Sequence, residues 1–508
     1  MRTSARAIAI AFAVGACFAP FGARAFDSGS TGTDGAFSPT VNTTVPLPPS
    51  GIFNFTTVNI PSGVTVTFSN NTTNTPVVIL ASGNITIAGT INLNGGDGFP
   101  AGTAGGGNLG DDGIPGAGAA GGGFSGGRGG LVGTFASSPS GTTATLGGAG
   151  LGPGGGGPGG PSVTYCGTRV LGGAGGGFSA AGTNSATYLN GCGGGINPNG
   201  AGGAAYGSSG LLPLIGGSGG GGGSGGTSFS GAGGGGGAGA ILLAATGTVN
   251  ITGTINANGG RGGDTGGPGD GGAGGGGSGG AIRIVATTVA GNGPINAVGG
   301  AIGNDTGGST YSVDGAGAGA AGRIRIEAEV FQRTAATNPG FAFAAPAPVF
   351  IAGTPTLTIS SVAGVSAPAT PSGNADITLP SSTPNPVTVS FTTTGVPVGN
   401  IVQLTVAPAG AAPRVVVVSP ALTGSTASAT ASVSVSLPTG PSTLMAQTTY
   451  TVVAAIGDLL KNFAGNERVE KVTLMATYGG PSRVKLITVS GKEYEAPVEV
   501  LRIAGLGG

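Results

Sequence analysis

The chain has 508 residues, a formal net charge of zero, only 7% charged residues and 116 glycines. It contains no histidine, which excludes ordinary Ser-His-Asp or Cys-His catalysis and a histidine-ligated metal site. It also lacks the basic clusters that neutralise phosphates, so nucleic acid is not an expected partner. We expect no cofactor and no bound metal.

Residues 1–25 have the composition of an export signal. Two arginines precede an apolar run at 7–19, and Ala23-Arg24-Ala25 fits an A-x-A cleavage site. We therefore predict cleavage near Ala25 and an extracellular or cell-surface location, with the periplasm as the alternative. A second interpretation takes Cys17 as a lipidated cysteine. No later apolar stretch has spanning length, so no transmembrane segment is predicted in the mature chain.

A 20-residue motif recurs along the next part of the chain. Residues 77–96 (VVILASGNITIAGTINLNGG) align without a gap with residues 241–260 and with residues 281–300. Each copy alternates apolar and polar residues with the period of a strand, and one copy cannot bury its apolar face alone. We predict an all-β fold in which the copies stack as coils of a parallel β-solenoid. The stacked residues would be Ile91, Ile255 and Ile295 inside, and a ladder of Asn92, Asn256 and Asn296.

The predicted solenoid domain spans residues 26–352, with coils near 52–96, 240–260, 281–300 and 323–352. Each aligned copy ends in Gly-Gly and is followed by a glycine-rich insertion: residues 97–239, 261–280 and 301–322. We expect these insertions to leave the solenoid at one corner. Glycine triplets indicate ordered polyglycine-II helices, which have three residues per turn; a disordered linker is the alternative.

The longest insertion contains the candidate binding residues. Tyr165, Tyr188 and Tyr206 are aromatic side chains that could contact a sugar or receptor, with plain packing as the alternative for each. Cys166 and Cys192 are the two cysteines that remain after signal cleavage, and in an exported protein they predict a disulfide. Two buried free thiols are the alternative.

Two further β regions are predicted after the solenoid. Residues 353–455 contain short alternating segments at the spacing of an immunoglobulin-like β-sandwich, or else form a Pro/Thr-rich stalk. Residues 456–508 hold all four lysines and predict a small charged β module, or alternatively a docking or secretion signal. Strands are expected at 469–475, 484–489 and 498–503, and one helical turn at 458–463.

Little in the sequence indicates catalysis. The densest acidic point, Asp111-Asp112, lies in a glycine loop, where a role in a turn is expected. We therefore predict a protein that is not an enzyme. The alternative is a polysaccharide lyase or hydrolase on a β-helix, which would need paired carboxylates on rigid elements. The alternating segment Val64-Thr65-Val66-Thr67 leaves binding to ice or a crystal surface as a further possibility.

The motif ITxxGTINxNGG, together with the insertions and the export signal, resembles bacterial secreted, glycine-rich β-helix proteins of the adhesin-like type over residues 52–330. The insertions are similar to the polyglycine-II bundles of certain phage tail-fibre adhesins, and in composition to mycobacterial PE-PGRS proteins, whose helical N-terminal domain is missing. The resemblance implies a surface or matrix protein that binds glycans or other cells. A structural component of an extracellular layer, formed by self-association, is the remaining alternative.

Overall fold

The computed structural model describes residues 26–48, 50–71, 74–100, 113–131, 146–160, 169–185, 200–226, 229–265, 271–304, 312–347, 349, 354–367, 376–409, 413–465, 467–477, 482–496, 498, 500–501 and 506. This part of the chain is nearly all β. The strands before residue 350 are β1 (Ala36–Phe37), β2 (Thr43–Pro46), β3 (Ile52–Phe55), β4 (Thr57–Ile60), β5 (Thr65–Ser69), β6 (Val77–Ala81), β7 (Ile85–Ile87), β8 (Thr90–Asn92), β9 (Arg169–Leu171), β10 (Ala240–Ile251), β11 (Thr254–Asn256), β12 (Ala281–Ala290), β13 (Ile295–Asn296), β14 (Ser312–Asp314), β15 (Arg323–Phe331) and β16 (Phe341–Ala344).

The later strands are β17 (Thr356–Val362), β18 (Val365–Ser366), β19 (Val387–Thr394), β20 (Gln403–Pro408), β21 (Val415–Val418), β22 (Thr423–Ser425), β23 (Ser428–Val435), β24 (Ser442–Thr451), β25 (Val469–Thr477), β26 (Arg483–Thr488) and β27 (Glu493–Ala496). The helix α1 (Ala454–Leu460) continues as a 3-10 turn at Lys461–Phe463.

Two large parallel sheets form the first half of the described fold, and β9 pairs with β14 in a separate two-stranded parallel sheet. Sheet A has the order β1-β4-β7-β10-β12-β15-β16, with β6 also pairing with β10 and β3 with β6. Sheet B has the order β13-β11-β8-β5-β2. After each strand of sheet A in the repeats, the chain turns and enters sheet B, as β7 leads into β8, β10 into β11 and β12 into β13.

The aligned copies of the motif pair in register. Ile255 lies between Ile91 and Ile295, and Asn256 lies between Asn92 and Asn296. In sheet A, Ile85 and Ile87 pair with Val249 and Ile251, as the sequence alignment predicts. The three isoleucines of sheet B are fully buried in one core that both sheets share. Stacking of identical side chains therefore fixes the register, because a slip of one residue would turn every apolar side chain outward.

Phenylalanine side chains pack at both ends of this core. On the N-terminal strands, Phe37 and Phe53 pack against Phe55 with ring centroids 5.2 and 5.5 Å away, and Phe68 packs against Phe53 at 6.4 Å. On the C-terminal strands, Phe331 contacts Phe341 and Phe343 at 5.6 and 5.0 Å. The terminal strands thus differ from the repeated motif and cover the apolar ends of the stack.

The described glycine-rich residues form a lattice of backbone hydrogen bonds. At its centre, the backbone N–H groups of residues 219–224 donate to three neighbouring segments in turn, and their carbonyls accept from three other segments. The N···O distances are 2.8–3.0 Å. The donors pair as Gly219 with Leu151, Gly220 with Gly235, Gly221 with Ala174, Gly222 with Gly148, Gly223 with Ala232 and Ser224 with Leu171. The carbonyls accept from segments containing Gly127 and Gly130, Gly156 and Gly159, and Gly272 and Gly275. Each partner segment returns after three residues, which is the pattern expected for polyglycine-II helices packed side by side.

The lattice continues the two sheets. After β8 and β11, Leu93 donates to Asn256 and Gly95 to Asn258, so the bonding of sheet B extends into the glycine-rich segments. Returning segments lead directly into β10, β12 and β15 of sheet A. Segments that follow one another in the longest insertion run in opposite directions: Gly126 donates to Gly116, and Gly129 to Gly113. The chain therefore leaves sheet B, crosses the lattice repeatedly, and returns to sheet A.

Two antiparallel sheets form the C-terminal part. Sheet C has the order β18-β17-β19-β23-β22, and sheet D has the order β21-β20-β24-β25-β26-β27. Their buried side chains share a core that includes Leu357, Phe391, Leu404 and Leu474. Because β24 pairs with β25, sheet D crosses the boundary predicted at residues 455–456. The strand predicted at 498–503 is wrong where it is described, since Val500 and Leu501 are helical.

Candidate binding face

The outward side chains of sheet B form a polar surface, which we call the polar face. The buried isoleucines alternate with half-buried threonine and asparagine side chains that point away from the core. Parallel pairing places these side chains in rows across the sheet. One row is Thr65, Thr90 and Thr254; a second is Asn92, Asn256 and Asn296; and Thr44 pairs with Thr67 on β2 and β5.

Hydrogen bonds between neighbouring strands orient the side chains of the polar face. The Asn296 amide nitrogen donates to the Asn256 amide oxygen at 2.9 Å. The hydroxyls of Thr44 and Thr67 are 2.8 Å apart. Each amide and hydroxyl has more hydrogen-bonding positions than these contacts use. The rows therefore present donors and acceptors about 4.8 Å apart across the strands, on a rigid backbone.

Side chains of a second kind extend the polar face onto the lattice. Asn94 accepts a hydrogen bond from the backbone N–H of Asn258 at 2.8 Å, and Asn258 accepts one from Val298 at 3.0 Å. One triplet further on, Asp97 accepts from the N–H of Arg261 at 2.7 Å. These carboxylate and amide oxygens satisfy backbone donors that have no partner in another glycine segment among the described residues.

A charged pair borders the polar face. The Arg261 guanidinium contacts both carboxylate oxygens of Asp264, and the backbone N–H of Asn304 donates to Asp264 at 2.6 Å. Burial alone would raise the pKa of Asp264, but the Arg261 guanidinium and the Asn304 N–H together hold it below its ordinary value. This carboxylate is therefore ionised and paired at neutral pH, and it adds no net charge to the polar face.

Of the three predicted tyrosines, Tyr206 is the one that lies in the described part of the chain. Tyr206 is only 2% exposed, and its ring packs against Phe178 at a centroid distance of 4.8 Å. Its hydroxyl donates to the carbonyl of Gly216 at 2.5 Å and accepts from the Ser218 hydroxyl at 3.0 Å. Burial raises its pKa well above the ordinary value. As a surface contact for a ligand the prediction for Tyr206 is wrong, because its ring and hydroxyl are used in packing.

Several other predicted residues lie outside the described part of the chain. They are Tyr165, Tyr188, Cys166, Cys192, Asp111 and Asp112. Within the described residues, no cluster of three or more acidic or cysteine side chains could hold a metal ion. No helix among them is long and apolar enough to cross a membrane.

Sequence reasoning identified only part of the polar face. It named Asn92, Asn256 and Asn296 as a ladder, and Thr65 and Thr67 as a possible surface for ice or a crystal. It did not connect them with Thr44, Thr90 and Thr254 or with the oxygens of Asn94 and Asn258. The signal was present in the alignment, since the same offsets of 164 and 40 residues that pair the isoleucines also pair these side chains. Comparison with protein-family models, with curated proteins and with solved structures finds no match to this chain.

Proposed function

We propose that this chain is an exported, non-enzymatic protein of the cell surface or extracellular matrix, and that its polar face binds hydroxyl-rich glycans. The observation that carries the proposal is the in-register array of uncharged threonine and asparagine side chains across sheet B. Hydroxyl and amide groups can both donate to and accept from sugar hydroxyls.

The rigidity of the array supports this proposal. Side chains already oriented by their neighbours, such as Asn256 and Asn296, lose little further freedom when a ligand binds. Each contact with an extended glycan is weak, but a repeating polymer can engage several rows at once, which raises the effective affinity. The absence of net charge on the rows favours neutral glycans over acidic ones.

The architecture we propose for this role has three parts. Sheets A and B are the walls of a short parallel β-solenoid, the glycine lattice is a polyglycine-II slab, and sheets C and D form an immunoglobulin-like spacer. The shared core of sheets A and B and the three-residue rotation of hydrogen bonds support the first two assignments. The antiparallel pairing of sheets C and D supports the third.

The binding test uses a pair of matched variants. Thr90→Val with Thr254→Val removes two neighbouring hydroxyls from the polar face while keeping their shape. Thr358→Val with Thr392→Val makes the same change on sheet C, where these hydroxyls are 2.6 Å apart. We expect retention on insoluble neutral polysaccharides to weaken roughly tenfold for the first variant only.

Two results would overturn the binding proposal. One is that the wild-type chain is retained by none of the polysaccharides; the other is that both variants are retained equally well. A structural role in an extracellular layer is the second candidate, because the lattice already assembles many segments, mainly through backbone hydrogen bonds. Concentration-dependent sedimentation of the purified chain without any polysaccharide would favour that role.

The proposed location is tested on intact producing cells. Added protease should cut the mature chain on intact cells as it does in a lysate. Protection until lysis would place the chain in the periplasm and contradict surface display. In that case Asp111→Asn with Asp112→Asn, assayed on polysaccharides, becomes the test of the lyase or hydrolase alternative.

A further inference from the structure

The first described residues form a strap across the outer face of sheet A, which we call the N-terminal strap (residues 26–33). Ser28 is 1% exposed, and its hydroxyl donates to the carbonyl of Ala81 at 2.7 Å. Two residues later, the Ser30 hydroxyl donates to the carbonyl of Phe55 at 2.7 Å. Ala81 and Phe55 are the last residues of β6 and β3, so the strap satisfies acceptors at adjacent strand ends.

The strap also contacts the next strands of the sheet. The backbone N–H of Ser28 donates to the Thr246 hydroxyl on β10 at 3.1 Å. Phe26 is half-buried and packs in a small apolar cluster on the outer face that includes Leu80 and Leu242. The strap therefore belongs to the folded sheet, and Phe26 is its apolar anchor.

One contact of the strap involves the backbone nitrogen of Phe26. This nitrogen lies 2.8 Å from a carboxylate oxygen of Glu329, an exposed residue of β15. The bond that precedes this nitrogen, Ala25–Phe26, is the one that the A-x-A pattern at Ala23-Arg24-Ala25 marks for cleavage. The cleavage pattern in the sequence and the contact with Glu329 in the structure thus concern the same atom, the backbone nitrogen of Phe26.

We propose that removal of the export signal turns the Phe26 nitrogen into an ammonium group that Glu329 binds, which strengthens the attachment of the strap. A signal peptidase of the exporting cell would add water across the Ala25–Phe26 peptide bond. Ala25 leaves with the new carboxylate, and Phe26 keeps the nitrogen, which takes up a proton to become an ammonium group. A peptide N–H then becomes a full positive charge beside the Glu329 carboxylate, and a charge-assisted hydrogen bond replaces a neutral donor.

This inference rests on the proposed export of the chain, but its test separates the two. The intact mass and N-terminal sequence of the exported protein are measured first. A chain that begins at Phe26 supports the inference. A chain that begins at lipidated Cys17, or at any residue other than Phe26, overturns it, whereas the glycan experiment is unaffected by that result.

The ion pair is tested on purified protein that begins at Phe26, released from a fusion partner without extra residues. An amine-reactive reagent is applied briefly, and labelling of the Phe26 amine is followed by mass spectrometry. Compared with Glu329→Gln, the wild-type amine should react more slowly, by up to about fivefold for an exposed pair. Glu470→Gln, a change at another exposed carboxylate, should leave the rate unaltered.

High salt supplies the second measurement. Because salt screens exposed charges, the difference between wild type and Glu329→Gln should shrink at about 1 M ionic strength. Equal labelling of wild type and Glu329→Gln at low salt would show that the ammonium group is not held by Glu329. That result would overturn the inference even if the chain begins at Phe26.

Discussion

Arg283 on β12 and Glu327 on β15 are 44 residues apart in sequence, yet their side chains form a two-point contact at 3.0 Å on the outer face of sheet A. Both side chains are at most 1% exposed. Arg325 also donates to Glu327 at 2.6 Å, and the backbone N–H of Ala347 donates at 2.8 Å. The carboxylate is therefore surrounded by donors that compensate for its burial.

Glu327 should make the stability of the fold sensitive to acid. Burial raises the pKa of its carboxyl, but Arg283, Arg325 and the Ala347 N–H outweigh burial, so the folded pKa lies below the ordinary value. A carboxyl with a lowered folded pKa stabilises the fold above its ordinary pKa of about 4.3, and this contribution is lost as the pH falls through the folded value. The free energy of unfolding of wild type should therefore fall below about pH 4.3 more steeply than that of Glu327→Gln, in urea titrations at a series of pH values. Parallel curves for the two proteins would refute this expectation.

Removing only one member of the buried Arg283–Glu327 pair should lower the free energy of unfolding more than removing both. Glu327→Leu leaves the Arg283 guanidinium buried without its carboxylate, which we expect to lower the free energy of unfolding by about 3–5 kcal/mol. Combining it with Arg283→Met replaces the buried pair by apolar groups and should restore much of that loss. Urea denaturation of the two single variants and the double variant measures the coupling. Additive effects would mean that the two side chains do not depend on each other.

The interior of the glycine lattice should not tolerate a methyl group. A Cβ atom on Gly222 would overlap the carbonyl of Arg128, which belongs to a neighbouring segment. Gly222→Ala should therefore lower the free energy of unfolding by about 1–3 kcal/mol, the usual cost of overpacking. Gly340→Ala is the matched control, since a Cβ atom there meets nothing within 4 Å. Equal urea midpoints for both variants would contradict a close-packed lattice.

Two buried tyrosines should respond in opposite ways to loss of the hydroxyl. Tyr206→Phe removes the partner of Gly216 and Ser218, and should lower the free energy of unfolding by about 1–3 kcal/mol. The Tyr450 hydroxyl is buried and has no hydrogen-bond partner among the described residues, so Tyr450→Phe should be neutral or stabilising. Thermal unfolding of both variants checks this contrast. Destabilisation by Tyr450→Phe of the same size would mean that its hydroxyl has a partner after all.

The sequence allowed the register of the repeats to be predicted because side chains specify it. Ile91, Ile255 and Ile295 occupy the same place in three aligned copies, and the sheets pair them. The partners within the lattice could not be predicted in this way. Glycine carries no side chain, so nothing in residues 219–223 distinguishes one neighbouring segment from another. Tyr206 lies outside the aligned copies, so its sequence gave no sign of whether the ring faced the lattice or the solvent.

The C-terminal boundary was missed for a different reason. Charge separates residues 456–508 from what precedes them, and a change in composition suggested a separate module. The pairing of β24 with β25 depends instead on buried residues such as Tyr450 and Val472, which lie opposite each other across the predicted boundary. The change in composition therefore reflects the surface charge of sheet D, whereas its buried side chains determine which strands pair.

The route of the chain through the glycine lattice also limits how such a protein can change size. Every excursion starts at the end of a sheet B strand and must finish at the start of a sheet A strand, so segments are gained or lost as out-and-back pairs. A duplication or deletion of one such pair leaves the flanking strands in place and keeps Ile91 opposite Ile255. The length of the insertion should consequently vary in steps of one hairpin, without changing the strand pairing in sheets A and B.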